Sequence, residues 1–281
     1  MDLANSFIPA VGDGLGLLEV ATYYVMMVAF FCFVASFFFS WFTRTHVAPE
    51  HNTSRVFTAI ICVVAGISYF IISDYYKDFL QELQTITDET TRNEFKRNGY
   101  NAIGQLRYMD WMVTTPLLLI KMISVLRIKY SRIAVIVALV VLGDIFMIAT
   151  GFIGQQQLDA DGSIMVQSRM IWGAISTVGY TMVLVGMYQI WNKYRHEAKT
   201  LERRAYKYMS LTVVTLWGVY PIGYILVALF PEMDNSWIHI TFSIADVVNK
   251  AGVGIIAYLM ASRLLEDRLD TSSKEFAMNV G

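Results

Sequence analysis

Residues 107–121 read RYMDWMVTTPLLLIK, which places Arg107, Asp110 and Lys121 inside a stretch otherwise apolar enough to cross a bilayer. Positions 107, 110, 114, 118 and 121 recur at helical spacing and share one face. At about 1.5 Å per residue that face runs roughly 21 Å, most of the depth of the hydrocarbon layer. A helix with such a stripe cannot stand alone in lipid, because each unshielded charge costs at least a few kcal/mol. It has to be the inner wall of a bundle.

Composition supports the same reading. Of 281 residues, 56% are hydrophobic and only 16% are charged, and the mean hydropathy is +0.47. That is too little polar surface for a water-soluble globule. Seven runs of about 20 or more apolar residues lie near 17–42, 56–76, 102–126, 131–153, 165–192, 208–230 and 237–262. No linker or low-complexity tract separates them, so residues 1–281 are expected to form a single all-α domain, a seven-transmembrane helix bundle. Fourteen basic residues fall on one side of the spans, from Arg44 and Arg55 to Arg268 and Lys274; only Lys77, Arg92, Lys96, Arg97 and Arg169 fall on the other. Positive residues stay inside, which predicts an outer N-terminus and a cytoplasmic C-terminus. The polar segment from Lys77 to Asn101 is expected to be a long outer connection, folded into a small cap. MDLANSF has no basic n-region and the first apolar run exceeds a signal h-region, so it is expected to remain as a helix. A net charge of −1 argues against nucleic acid as a partner. Cys32 and Cys62 lie in apolar runs without metal-ligand or CxxC spacing and are expected to be buried, inert thiols, and no metal site is expected.

Asp246 and Lys250 put a second carboxylate and a second lysine one turn apart in the seventh span. Ion pairs locking the third helix to the seventh are one reading. The other is chemical: an amine that carries an aldehyde as an imine keeps its cation through the carboxylates beside it, and can pass the proton on.

The stretch 107–121, together with Trp217-Gly-Val-Tyr220-Pro221 and Asp246-Val-Val-Asn249-Lys250, resembles the third, sixth and seventh helices of microbial (type 1) rhodopsins, in order and spacing, over roughly residues 15–265. The resemblance implies all-trans retinal joined to Lys250 as a protonated Schiff base. Asp110 is then the primary counterion and proton acceptor, Asp246 the second counterion, Arg107 the outer gate, and Thr114 a hydrogen-bond partner of Asp110. The implied retinal pocket contains Trp111, Thr115, Leu118, Met147, Gly151, Ser176, Trp217, Tyr220 and Pro221, with Asp144 bonding to the third helix. Leu118, where some proteorhodopsins carry Gln, implies green rather than blue absorption. The implied activity is that of a light-driven outward proton pump, a transporter rather than an enzyme. It would sit as a multi-pass protein in a prokaryotic plasma membrane, with the lipid bilayer and protons as its partners and a homo-oligomer, trimer or pentamer, as its assembly.

Several positions leave the pattern. Lys121 stands where most outward pumps carry Asp or Glu; it is either the inner proton donor or a lysine snorkelling to the interface. The histidine that proteorhodopsins place beside the counterion aligns with Ile71. His239, seven residues before Asp246, is either part of an outer release path or an interfacial histidine, while Glu232 and Asp234 read as solvated loop charges. Gly173 stands where bacteriorhodopsin has Trp and xanthorhodopsin has a small residue; it either opens a window for a carotenoid antenna or permits close helix packing. Two alternatives to proton pumping remain. A sodium pump is suggested by the long second loop and by the segment ending at Gln155, although Asp110, Thr114 and Lys121 differ from the Asn, Asp and Gln of that group. A photosensory rhodopsin signalling to a partner protein is the other.

Overall fold

The computed structural model describes residues 7, 10–12, 14–160, 162–231 and 233–280. Its helices are α1 (Leu17–Phe42), α2 (Asn52–Thr85), α3 (Glu89–Ser124), α4 (Tyr130–Gln155), α5 (Val166–Tyr194), α6 (Thr200–Thr215), α7 (Val219–Leu229), α8 (Ser236–Val247) and α9 (Val253–Val280). They make seven rods. A 3-10 turn at Leu216–Gly218 joins α6 to α7, and a π turn at Val248–Gly252 joins α8 to α9.

Both interruptions have local causes. Pro221 has no amide to offer the carbonyl of Trp217 four residues back, so the sixth rod tightens there. The π turn inserts one residue into the seventh rod at Lys250, a distortion that recurs at functional sites.

Six of the seven rods contain a stretch long and apolar enough to span a membrane. The exception is α3, whose Arg107, Asp110 and Lys121 dilute its apolar character. Large apolar side chains such as Phe31, Ile67, Val135, Leu142, Val178 and Leu259 face outward, as lipid contact demands. Two apolar clusters pack the interior. One centres on Tyr69, Tyr76, Leu80, Leu83 and Ile103, the other on Leu119, Met122, Ile190, Tyr206 and Met209. Between α4 and α5 the backbones nearly touch: a Cβ on Gly179 would meet the Met147 amide nitrogen at 2.7 Å.

The expected long connection from Lys77 to Asn101 is instead helix. Only Ile86–Asp88 interrupt it. Its polar outer face conceals an inner stripe of Tyr76, Phe79, Leu80 and Leu83, and Phe79 stacks on Phe95 at 5.2 Å. Asp88 starts α3 by accepting the Thr91 amide at 2.8 Å. Arg92 closes α2 by donating to the Leu83 carbonyl at 2.6 Å. The seventh rod likewise runs on to Val280, well past the expected end at 262. Cys62 is buried as expected, whereas Cys32 is partly exposed.

Candidate functional site

The charged stripe of α3 faces inward along its whole length. Arg107, Asp110, Thr114, Leu118 and Lys121 are all buried. Across from them the π turn presents Lys250, whose Nζ forms an ion pair with Asp110 Oδ2 and lies 3.8 Å from Asp246 Oδ2. Two carboxylates therefore flank one amine.

Their surroundings differ. Asp246 accepts from Tyr220 (2.6 Å), Tyr69 (2.9 Å), Trp111 Nε1 (3.2 Å) and Arg107 Nη1 (3.4 Å). Asp110 has only Lys250, and its Oδ1 is without a partner. Thr114 does not bond the Asp110 carboxylate as expected. Its hydroxyl donates to the Asp110 carbonyl at 2.9 Å, the usual back-bond of a threonine within a helix. Thr115 donates to Asp144 at 2.8 Å, so the expected link from Asp144 to the third helix is present.

Beside this cluster lies a cavity of about 510 Å³, a volume typical of sites for molecules of retinal size. Trp111, Thr115, Leu118, Met147, Gly151, Ser176, Trp217, Tyr220 and Pro221 all line it, as does Lys250. Gly151 leaves room, since a Cβ there would meet the Tyr108 ring at 3.0 Å. Ser176 is tied to the Met147 carbonyl at 2.7 Å. A mostly apolar slot with an amine in its wall, held between carboxylates, fits an aldehyde-bearing polyene.

Towards the end of the bundle that bears α1's N-terminus, polar groups continue from the amine. Arg107 donates to Tyr69 (2.7 Å), Ser243 (2.9 Å) and the His239 carbonyl (3.3 Å). His239 is buried, lines the cavity and lies 5.2 Å from the Tyr100 ring, and Tyr100 bonds Ser236 at 2.5 Å. Towards the other end the chemistry stops. Lys121 is fully buried and its Nζ has no partner among the described residues, so it does not snorkel.

Ile71 is 48% exposed, so it is not the residue beside Asp110 and Asp246. Helix α2 reaches Asp246 through Tyr69. Sequence reasoning missed that residue, although Cys62, Ala65, Tyr69, Ser73 and Tyr76 mark the inner face of α2 at helical spacing. It also missed Phe242, 5.1 Å from the Tyr220 ring, and Asn249, 3.4 Å from the Tyr220 hydroxyl. At Gly173 a Cβ would meet Tyr224 at 2.8 Å, so that ring fills the space of the missing side chain. Asp234 caps the Ser236 amide at 2.8 Å rather than standing free. Glu232 lies outside the described residues.

A helical membrane bundle with a buried lysine between two carboxylates, beside a mostly apolar cavity, is the arrangement of a seven-helix membrane protein of the rhodopsin class. The profile of the family described as bacteriorhodopsin-like protein matches residues 19–264, and the chain belongs to that family of microbial rhodopsins, multi-pass proteins of the cell membrane. It is 32% identical over 170 residues to a bacteriorhodopsin of Haloterrigena sp. (strain arg-4), covering 59% of this chain and 62% of the relative. It is 22% identical over 160 residues to a green-light absorbing proteorhodopsin of Gamma-proteobacterium EBAC31A08, covering 55% and 60%. The chain thus spans about three fifths of the length of the curated relatives it first matches. Among solved structures, the rhodopsin of Exiguobacterium sibiricum superposes with a TM-score of 0.72 at 24% identity, covering 87% of this chain and 97% of that one. Xanthorhodopsin, a light-driven ion pump with dual chromophore, gives 0.72 at 20%, covering 89% and 96%. At these identities the likeness is one of fold.

Proposed function

We propose that the protein is a light-driven outward proton pump, with Asp110 as acceptor and Lys121 as inner donor. One observation carries the reading: on a single face of α3, one carboxylate touches the Lys250 amine while an unpartnered lysine lies eleven residues further along, roughly 16 Å towards the other face. Vectorial transport needs acceptor and donor on opposite sides of the group that is emptied and refilled.

Retinal, when joined to Lys250, supplies light absorption and a change of shape that turns the Lys250 nitrogen. The remaining work belongs to the chain. Asp110 takes the proton, since it has a free oxygen and one partner, whereas Asp246 is held by four donors and stays as the anion. Arg107 then shifts its weight between Asp246, Ser243 and the His239 carbonyl, and His239, Tyr100 and Ser236 lead the proton outward. Lys121 collects a cytoplasmic proton and returns it to the Lys250 nitrogen. The excess of basic residues at the other end of the bundle, fourteen in all, supports a cytoplasmic position for that end.

Retinal-loaded cells in unbuffered saline are expected to acidify the medium under light, equally in sodium and potassium salts, and to stop doing so with a protonophore. Alkalinisation that protonophore enhances and that requires sodium would instead mean sodium transport. No ion movement with a photocycle lasting seconds would mean a sensor.

A carotenoid antenna is a second reading, favoured by one feature. Ala174, Thr177 and Ile225 line the cavity next to Gly173 and are exposed, so the slot reaches the lipid-facing surface there. Adding a hydroxylated carotenoid is then expected to add its bands to the excitation spectrum of the retinal fluorescence, and Gly173→Trp to remove them. The expected trimer or pentamer is tested by native mass spectrometry from lipid nanodiscs.

A further inference from the structure

We propose that Glu19 is the exit carboxylate of the outer path: it takes the proton that has passed Tyr100 and Ser236 and gives it up to water beside Lys96. The proposal rests on the pumping reading and adds to it the group at which the proton leaves the chain. Among the described residues five carboxylates are buried. Asp110 and Asp246 flank Lys250, Asp144 is tied to Thr115, and Glu202 lies at the other end of the bundle beside His51. Only Glu19 is buried between the Lys250 site and the end that bears α1's N-terminus.

Its place follows from α3. Lys96, Tyr100, Arg107 and Asp110 recur at helical spacing, so the face that carries Asp110 runs on outward past Arg107. From Asp110 to Lys96 that face covers roughly 21 Å of helix. At its far end Lys96 Nζ meets Glu19 Oε1 at 2.5 Å. The Glu19 side chain is 4% exposed and that of Lys96 22%, so the acid is inside while its partner reaches water. Gly16 makes the room, since a Cβ there would collide with Glu19 Oε2. An acid in the first turn of α1 suits the helix dipole whether buried or exposed. Burial is an added cost that a surface acid would avoid.

Polar groups fill the stretch between. Tyr100 shares a 2.5 Å hydrogen bond with Ser236, and Thr22, one turn from Glu19 along α1, donates to the Ser236 carbonyl at 3.1 Å. Tyr76 donates to the Glu19 carbonyl at 3.2 Å, and its ring stacks 6.5 Å from that of Tyr100. Tyr100, Asn235 and His239 line the cavity, so open volume follows the route from Lys250 as far as Tyr100. Each hydroxyl or water on the route passes one proton outward and takes one from behind. The last transfer forms the O–H bond of Glu19 as Lys96 swings away. When Lys96 returns, its ion pair requires the carboxylate anion, and the O–H bond breaks toward the outer water.

The test times the proton. Retinal-loaded protein in nanodiscs is excited by a single flash, with the visible band following transfer to Asp110 and a water-soluble pH dye following release. In wild type the dye is expected to respond before the dark state recovers. Glu19→Gln is expected to delay that response about tenfold or more, and Glu19→Asp to restore part of it, with the visible band and the first transfer unchanged in both. A carboxylic acid band that rises and decays in the infrared difference spectrum of wild type, and is missing in Glu19→Gln, is a signature that a purely structural ion pair would not give. Unchanged release timing in Glu19→Gln overturns the proposal. A delay in Asp234→Asn with none in Glu19→Gln also overturns it, giving the exit to the exposed acid that caps Ser236. Should Glu19→Gln lose its visible band, Lys96→Gln decides: slower release with a longer-lived acid band supports Glu19, and unchanged timing overturns it. A protein that never acidifies its medium in light would remove the pumping reading itself, a result separate from any change of timing.

Discussion

Arg107 and Lys121 lie on the same face of α3 and are equally buried, yet the two ends of that face treat charge in opposite ways. Around Arg107, two cations and two anions meet with eight or more polar contacts from α2, α3, α7 and α8, so their burial is compensated locally. Around Lys121 the described residues supply no carboxylate and no hydrogen-bond partner, and the apolar cluster that includes Leu119, Met122 and Val125 packs that end. The difference teaches where motion is needed. On the proposed function, a proton leaving Asp110 finds polar groups already in place, whereas one reaching Lys121 has to cross the apolar packing of that end.

The sharpest way to break this comparison is to remove the anion at the wired end. Asp110→Asn keeps the shape but leaves Lys250 facing Asp246 alone. Outward pumping is expected to fall by about a hundredfold or more, the scale of losing a positioned proton acceptor. The dark absorption band is expected to move to longer wavelength as a counter-charge goes. Light-induced pH traces and a visible spectrum check both; full pumping in this variant would make Asp246 the acceptor.

At the dry end the expected loss is smaller, because water can substitute slowly for a missing donor. Lys121→Ala should retain the absorption band and the first proton transfer, while recovery of the dark state slows by about ten- to a hundredfold. Flash photolysis separates these steps. An unchanged recovery would reduce Lys121 to a packing residue and sink its role as donor.

The two ends also differ in how well they can be read from sequence. Arg107, Asp110, Asp246 and Lys250 were legible because charge is so rare in a span that its mere presence signals function, and the pocket residues followed from the resemblance they carry. Tyr69 was not, since a tyrosine in a span is ordinary and only the fold brings its hydroxyl to Asp246. The bond of Thr114 was misassigned because helical spacing fixes its height but not whether it reaches a side chain or a carbonyl. The helical extensions of α2 and α3 were hidden by average polarity, which buries the stripe of Phe79, Leu80 and Leu83 beneath surface charge. The π turn at Lys250 has no sequence signature of its own.

A smaller effect tests whether Asp246 is the residue that stays charged. Tyr220→Phe removes one of its four donors, together with the 3.4 Å bond that Asn249 donates to the Tyr220 hydroxyl. The loss of a hydrogen bond to a charged group is expected to cost about 1.5–3 kcal/mol of stability, with pumping reduced severalfold at most. Thermal bleaching of the absorption band reads the first and pH traces the second. A near-total loss of pumping would mean that Tyr220 is itself on the proton route.

The mildest expected change lies at the solvent end of α3, beyond both buried regions. Asp88 accepts the Thr91 hydroxyl at 2.7 Å and the Thr91 amide at 2.8 Å, and these two donors hold its carboxyl below the ordinary aspartate value of 3.8. A lowered folded value means that the cap contributes fully above that ordinary value and is lost as pH falls through the folded one. Asp88→Ala is therefore expected to lower the bleaching temperature by about 2 °C near neutral pH, and the gap to wild type should close in acid. Asp88→Asn keeps a neutral acceptor, so its bleaching temperature should not follow that acid change. A gap that persisted for Asp88→Ala well below pH 3.8 would show that its effect does not come through the carboxylate cap.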